Sequence, residues 1–331
     1  MDPRKLRSTI LILALTIVLA ACGAAPGGAS SADTATAKAK TFKNLVVGYA
    51  QIGAESEWRT ANTVSIQETA QDLGVALKFD DAQQKQENQI KALREFIAQK
   101  VDVIGISPVV ETGWDEVFRE VKDAGIPLIL VDRHAKVPDN LFTAFIGSDF
   151  KSEGEKACQE MNMLLGGKGK IVELEGTVGS APAVDRKVGF HECLAKYPGM
   201  QVLASQTGEF TRAQGKAVMS EFLKTYGGQI NALYAHNDDM ALGAIQAIEE
   251  AGLKPGVDIK IVSVDAVRGA FEAMMVGKLN VTIECNPLLG PQFFDTALKV
   301  ANGQQIDKWV RSQEGVYRQS TAAKDLPSRK Y

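Results

Sequence analysis

Histidine and cysteine are scarce in this chain of 331 residues, which holds three of the first and four of the second. So few donors leave little material for a metal site, and without a CxxC pair the zinc and dithiol readings are weak. Basic charge is not in surplus either: 37 Lys and Arg stand against 40 Asp and Glu, a net charge of −3. That balance weighs against a nucleic-acid binder, which needs a positive surface to hold phosphates. Gly166, Gly167 and Gly169 follow a helical pattern and precede a strand, the reverse of a dinucleotide fingerprint, and no GxxxxGK[ST] occurs. His191-Glu192 starts like HExxH, but Ala195 stands where the second histidine belongs, and no GxSxG is present. No nucleophile–base pair emerges, so neither a catalytic residue, a metal nor a cofactor is expected. Long apolar runs are missing as well. The longest, Ile10 to Ala21, falls short of the ~20 residues that span a bilayer.

That run follows Arg4, Lys5 and Arg7 and ends at Leu19-Ala20-Ala21-Cys22. A basic start, a short apolar stretch and small residues before a cut mark a secretory signal. The tetrad resembles the bacterial lipobox, whose cysteine is lipidated, so Cys22 is the expected lipidation site. Loss of residues 1–21 removes three basic residues and one acidic one and takes the net charge from −3 to −5. The Gly-, Ala-, Ser- and Thr-rich stretch that follows cannot bury a core, so residues 22–43 read as a tether. The expected location is outside the cytoplasmic membrane, in the cell envelope, with membrane contact through the lipid only. Cys158, Cys193 and Cys285 then remain. Cys158 and Cys193 fall on successive predicted helices and could bridge; three small buried residues are the other reading.

From Leu45 onward short apolar strands alternate with amphipathic helices, the pattern of βαβ units and a parallel sheet. The spacing predicts strands at 45–51, 76–80, 103–107, 128–132 and 142–146, with helices at 58–73, 85–99 and 114–124 between them. A second set follows: helices at 151–165, 181–197, 212–226 and 238–251 alternate with strands at 170–174, 201–205, 232–235, 259–265 and 281–284. A helix at 288–302 and a strand-like tail at 310–317 come last. Two similar α/β halves, each a parallel sheet flanked by helices, are the expected architecture.

In open α/β sheets ligands bind at the carboxyl ends of the strands, and the residues expected there are unusually polar. Glu55, Trp58 and Arg59 follow the first strand, Ser107 the third, and Asp132 and Arg133 close the fourth. In the second half come Asp185 and Arg186, Phe210, Asn237 and Asp238, and Asp265. Asp238 reads as the cap of its own helix, and His134 and His236 as loop residues. Carboxylates accept, arginines donate in a fixed fork and an amide does both, which suits a neutral polyol whose hydroxyls do both. A ring such as Trp58 can cover the apolar face of a sugar.

These residues lie in segments such as VGYAQIGAESEWRTAN, DAQQKQENQIKALREFIAQKVD, VELEGTVGS, FTRAQGKAVM and YAHNDDMALGAIQAIEEAGLKPG. Over nearly all of the mature chain they resemble the sugar-binding proteins of ABC importers, in the ribose-, galactose- and lac-repressor-like class, and within it the galactofuranose binders. The resemblance implies a type I periplasmic binding protein: two Rossmann-like lobes, joined by three crossings placed near Gly147, Cys285 and Ile306, which close on a ligand between them. The N-terminal lobe is expected at 44–147 plus 286–306, the C-terminal lobe at 148–285 plus 307–331. The implied ligand set is Glu55, Arg59, Asp132, Arg133, Arg186, Asn237 and Asp265, with Trp58, Ser107, Phe210 and Cys285 as further candidates. Glu57 stands where the galactofuranose binders have a small residue, and Cys285 where ribose and galactose binders have an amide. The implied partners are a monosaccharide, with galactofuranose first, and the permease of an ABC importer, the binding protein acting as a monomer. A sensory protein that presents its closed form to a membrane receptor is the alternative. A repressor would need a DNA-binding N-terminus, and a sugar-modifying enzyme would need a free catalytic pair.

Overall fold

The computed structural model describes residues 39–331. The expected signal, lipobox and Cys22 lie outside these residues, as does most of the tether. The described end of the tether is bound, not loose: the Asn302 amide pairs with both backbone groups of Lys40 at 2.8 and 3.0 Å. Lys40 also meets Asp102 at 2.7 Å. Among the described residues no helix is long and apolar enough to cross a membrane.

The first lobe is built from β1 (Val46–Gln51), α1 (Glu57–Leu73), β2 (Ala76–Asp81), α2 (Gln86–Ala98), β3 (Val103–Ile106), α3 (Asp115–Asp123), β4 (Leu128–Val131) and β5 (Ala144–Gly147). The chain then crosses to α4 (Phe150–Leu165), β6 (Gly169–Glu175), α5 (Ala181–Leu194), β7 (Met200–Thr207), α6 (Arg212–Tyr226), β8 (Ala232–Ala235), α7 (Asp238–Glu250), β9 (Lys260–Asp265), α8 (Arg268–Met275) and β10 (Val281–Glu284). It ends through α9 (Gly290–Ala301), β11 (Trp309–Arg311), β12 (Val316–Arg318) and α10 (Ala322–Asp325). The sheets run β11-β5-β4-β3-β1-β2 and β12-β10-β9-β8-β6-β7. All pairs are parallel except β10 with β12. Two six-stranded, largely parallel sheets flanked by helices make the two-lobe architecture that the alternation implied. The β1, β3, β4 and β5 residues are buried almost throughout, as strands covered on both faces must be.

The strand-like tail at 310–317 is two strands in two different sheets. Trp309–Arg311 pairs with Phe145–Gly147 of the first lobe, and Val316–Arg318 with Val281–Ile283 of the second. The third crossing therefore lies between Arg311 and Val316, past Ile306, and the first lobe extends through Arg311. Ser312, Gln313, Glu314 and Gly315 separate the two strands, a polar break too short to show from the sequence that the chain changes sheets there. The helix α8 was not assigned a range by spacing.

The three crossings touch. Ser148 Oγ meets Cys285 Sγ at 3.4 Å and bonds the Glu314 carboxylate, which also accepts from the Asn286 amide at 3.2 Å. Cys158 on α4 and Cys193 on α5 form a disulfide, which decides between the two readings left open by sequence. Beside it the two helices pack closely. A Cβ on Gly154 would stand 2.1 Å from the Arg186 carbonyl, so only glycine permits the contact.

Candidate functional site

A small cavity lies between the lobes at the carboxyl ends of both sheets. It is lined by Glu55, Ser56, Trp58, Arg59, Asp132 and Arg133 from the first lobe and by Pro182, Arg186, Phe210, Asn237 and Asp265 from the second, with Cys285 at a crossing. All seven residues of the expected ligand set are therefore brought together, with Trp58, Phe210 and Cys285. Ser107 is not among them. Its hydroxyl bonds Tyr49 at 3.1 Å and its carbonyl accepts from Gln89 at 2.7 Å, so it supports β1 and β3 instead.

Local structure explains the placement. Ser56 caps α1 by accepting from the Arg59 amide at 3.1 Å, so the first turn presents Trp58 and Arg59. The Trp58 indole donates to the Cys285 carbonyl at 2.6 Å and ties α1 to the second crossing. Asn237 caps α7: its carbonyl oxygen accepts from Met240 N at 3.0 Å and its amide donates to the Phe210 carbonyl at 3.0 Å. The expected cap, Asp238, instead turns into the lobe and bonds Ser263, Thr282 and Val267 N. The residue before it already has the extended backbone that a cap requires. Phe210 has a left-handed backbone, φ 60°, and its ring lies where a Cβ on Gly176 would fall, 1.9 Å away. Asp132 (φ 64°) and Asp265 (φ 122°) are also left-handed. Such backbones are uncommon for residues with a Cβ and tend to cluster at functional sites.

The charges form two buried groups. In the first lobe Arg59 bridges Glu55 at 3.2 Å and Asp132 at 2.5 Å, and Arg133 meets Glu55 at 3.1 Å and the Val109 carbonyl at 3.1 Å. In the second, Arg186 donates to Glu153 at 2.7 Å and to the His236 carbonyl at 2.7 Å, while its third nitrogen stands 3.6 Å from Asp265. The Phe210 ring lies between Arg133 and Arg186, with centroid distances of 5.3 and 6.0 Å. Burial pushes Asp265 well above the usual carboxylate range despite the pull of Arg186, and raises Glu153 likewise. Burial also lowers Arg133 to about 10, which leaves it charged at neutral pH. Glu55 Oε2 and Arg133 Nε have no hydrogen-bond partner within the protein.

Outside the cavity, two rims hold the lobes together. His134 meets Asp185 across the cleft at 2.8 Å, and Glu111 N donates to the Gly179 carbonyl at 2.9 Å. On the other rim Glu57 N donates to Asp239 at 2.7 Å, and Arg212 bridges Asp239 at 2.9 Å and Glu57 at 3.5 Å. Glu57 is thus a rim residue, bonded to the opposite lobe. His236 is buried against Glu173 at 3.1 Å. Glu153, which sets Arg186, was missed in the sequence, where it reads as one more acid on an amphipathic helix. Of the described residues, Glu153, Cys285 and Glu314 bring donor atoms within 4.8 Å of one another. Glu153 is committed to Arg186, whose positive charge opposes a cation there.

The chain matches the family model described as periplasmic binding protein domain over residues 47–305. It is 44% identical to the galactofuranose-binding protein YtfQ of Escherichia coli over 86% of this chain and 92% of that protein. Two solved structures are also similar. One is the binding component of the arabinose ABC transporter of Shewanella sp. ANA-3, bound to α- and β-L-arabinofuranose (50% identity, TM-score 0.84, 86% of this chain and 95% of that one). The other, from Mycobacterium smegmatis, is in complex with β-D-fucofuranose (51% identity, TM-score 0.85, 87% and 95%). The family match, these similarities and the ring of charged residues between two parallel sheets lead to one conclusion: the chain belongs to the periplasmic binding protein domain family.

Proposed function

We propose that this protein captures a monosaccharide in its furanose form, galactofuranose first, in the interlobe cavity and delivers it to an ABC importer from outside the cytoplasmic membrane. The observation that carries the reading is the lining itself. Three acids and three arginines from both lobes face one small cavity with two aromatic rings. Such a set offers both donors and acceptors and little net charge, the requirement of a neutral polyol. Glu55, Arg59, Asp132, Arg133, Arg186, Asn237 and Asp265 are the proposed contacts, with Trp58 and Phe210 against the apolar faces of the ring. The second oxygen of Glu55 and the Nε of Arg133 have no hydrogen-bond partner within the protein and are available to sugar hydroxyls.

Relatives at 44–51% identity are described with galactofuranose, arabinofuranose and fucofuranose, which favours the five-membered ring. The arabinose transporter component among them favours delivery to an importer over a sensory role. Each acid at the cavity faces an arginine, which leaves none as a free acid–base pair. The Cys158–Cys193 disulfide suits an oxidising compartment, and lipidation at Cys22 would hold the protein there.

Closure buries the sugar and fixes its hydroxyls against these groups. A ligand lacking one hydroxyl leaves a buried group unpaired at about 1–3 kcal/mol, so each hydroxyl discriminates by roughly tenfold or more. Binding draws the open–closed balance toward the closed form by its differential affinity. Calorimetric titration of residues 39–331 tests the reading. Galactofuranose is expected to release binding heat and ribose much less or none; tight binding of ribose or of a pyranose without galactofuranose heat would overturn it.

A further inference from the structure

We propose that Arg329 is a positioning residue for the Asp265 carboxylate, acting through the turn that follows β9 and never touching the ligand. The inference rests on the reading of Asp265 as a sugar contact. Asp265 and Ala266 both have left-handed backbones, φ 122° and 62°, conformations that residues with a Cβ keep only when their surroundings hold them. Three of the holds come from inside the lobe. Cys285 N donates to the Asp265 carbonyl at 3.4 Å, Ala266 N to Thr282 Oγ1 at 3.0 Å, and Val267 N to Asp238 at 2.9 Å. The fourth comes from 63 residues downstream: Arg329 Nη2 donates to the Ala266 carbonyl at 2.9 Å.

Arg329 is itself fixed. Its Nη1 donates to Glu284 at 2.7 Å and to the Tyr317 hydroxyl at 3.0 Å. Its guanidinium faces the rings of Tyr331, Tyr317 and Phe271 at 4.5, 4.8 and 5.3 Å. Glu284 pairs in register with Asp265 across β9 and β10, and its carboxylate also accepts from Gly315 N of the third crossing at 2.9 Å. Burial would raise the Glu284 carboxyl, yet the Arg329 bond and that amide hold it below its usual range. One guanidinium thus joins the ends of two adjacent strands, one ending in Asp265 and the other running into Cys285. The planar fork reaches these acceptors from two different nitrogens held in one fixed geometry. Arg329 does not line the cavity, so any effect on binding must pass through the strand ends that it joins, and coupling to Asp265 marks the route through the turn.

A double-mutant cycle tests the assignment. Residues 39–331 are titrated with D-galactose, D-fucose and L-arabinose, and the tightest of the three serves as probe, at a temperature where melting curves show every variant folded. Arg329→Ala is expected to weaken binding about tenfold. In an Asp265→Asn background, already weakened, the same change is expected to cost less than about twofold. Unchanged affinity in Arg329→Ala, or an equal loss in both backgrounds, overturns the proposal and leaves Arg329 a structural anchor. Wild-type affinity in Asp265→Asn, or no binding of any of the three sugars, removes the underlying reading and the proposal with it. If Arg329→Ala does not fold, Arg329→Gln replaces it in the cycle, with the same outcomes deciding.

Discussion

Replacing Arg186 by alanine separates two consequences of one buried charge. The side chain is almost fully buried, bonded to Glu153, itself wholly buried, and to the His236 carbonyl. Removing it leaves Glu153 without its counter-charge. Breaking a buried pair from one side costs about 3–5 kcal/mol, against a total stability of roughly 5–15 kcal/mol, so the variant should fold but melt much earlier. The second consequence concerns the sugar. The third guanidinium nitrogen stands 3.6 Å from Asp265 at the cavity and is the one without a protein hydrogen bond. Loss of a charged donor costs about 1.5–3 kcal/mol, roughly 10- to 150-fold in Kd. Adding Glu153→Gln removes the stranded charge, so the double variant should recover most of the stability and none of the affinity. Calorimetry of unfolding and of sugar binding on the three variants reads both effects. An unchanged melting point in Arg186→Ala would refute the electrostatic argument, and wild-type affinity in the double variant would remove Arg186 from the site.

Two further predictions concern the scaffold. The disulfide joins cysteines 35 residues apart; closing a loop of that length constrains the unfolded chain by about 4 kcal/mol. The Cys158→Ala/Cys193→Ala variant should lose about that much in denaturant titration, and a loss near zero would show that the α4–α5 packing alone holds the helices. At the crossings, burial and the nearby Glu153 push Glu314 up from 4.5 to about 8. A raised carboxyl favours the folded state most below its unfolded value, so its contribution is complete below about pH 4.5 and is lost as pH rises through about 8. Glu314→Gln should flatten that part of the stability profile; an unaltered profile would assign the dependence to other groups.

Much of the cavity lining was legible in the sequence because strand ends are legible. Short apolar runs mark buried strands, a parallel sheet puts ligands at their carboxyl ends, and polar residues just past Gln51, Val131, Ala235 and Val264 are out of place unless something meets them there. Ser107 obeys the same rule and is used otherwise, since a hydroxyl at a strand end can equally bond the neighbouring Tyr49. Asp238 was misjudged for a related reason: two adjacent residues could cap α7, and only the backbone angles decide which one does.

The sequence by itself determined the alternation of elements, the two α/β halves and which polar residues stand at the strand ends, because these depend on local periodicity and on the direction of each strand. Only the tertiary structure decided the pairing of Cys158 with Cys193, the sheet to which each part of the tail belongs, the ion pair of Glu153 with Arg186 and the hold of Arg329 on Ala266. Those partners lie tens of residues apart, on surfaces that read as ordinary amphipathic faces. Nothing local distinguishes an acid facing solvent from one facing an arginine on another helix; the packing of the elements makes that choice.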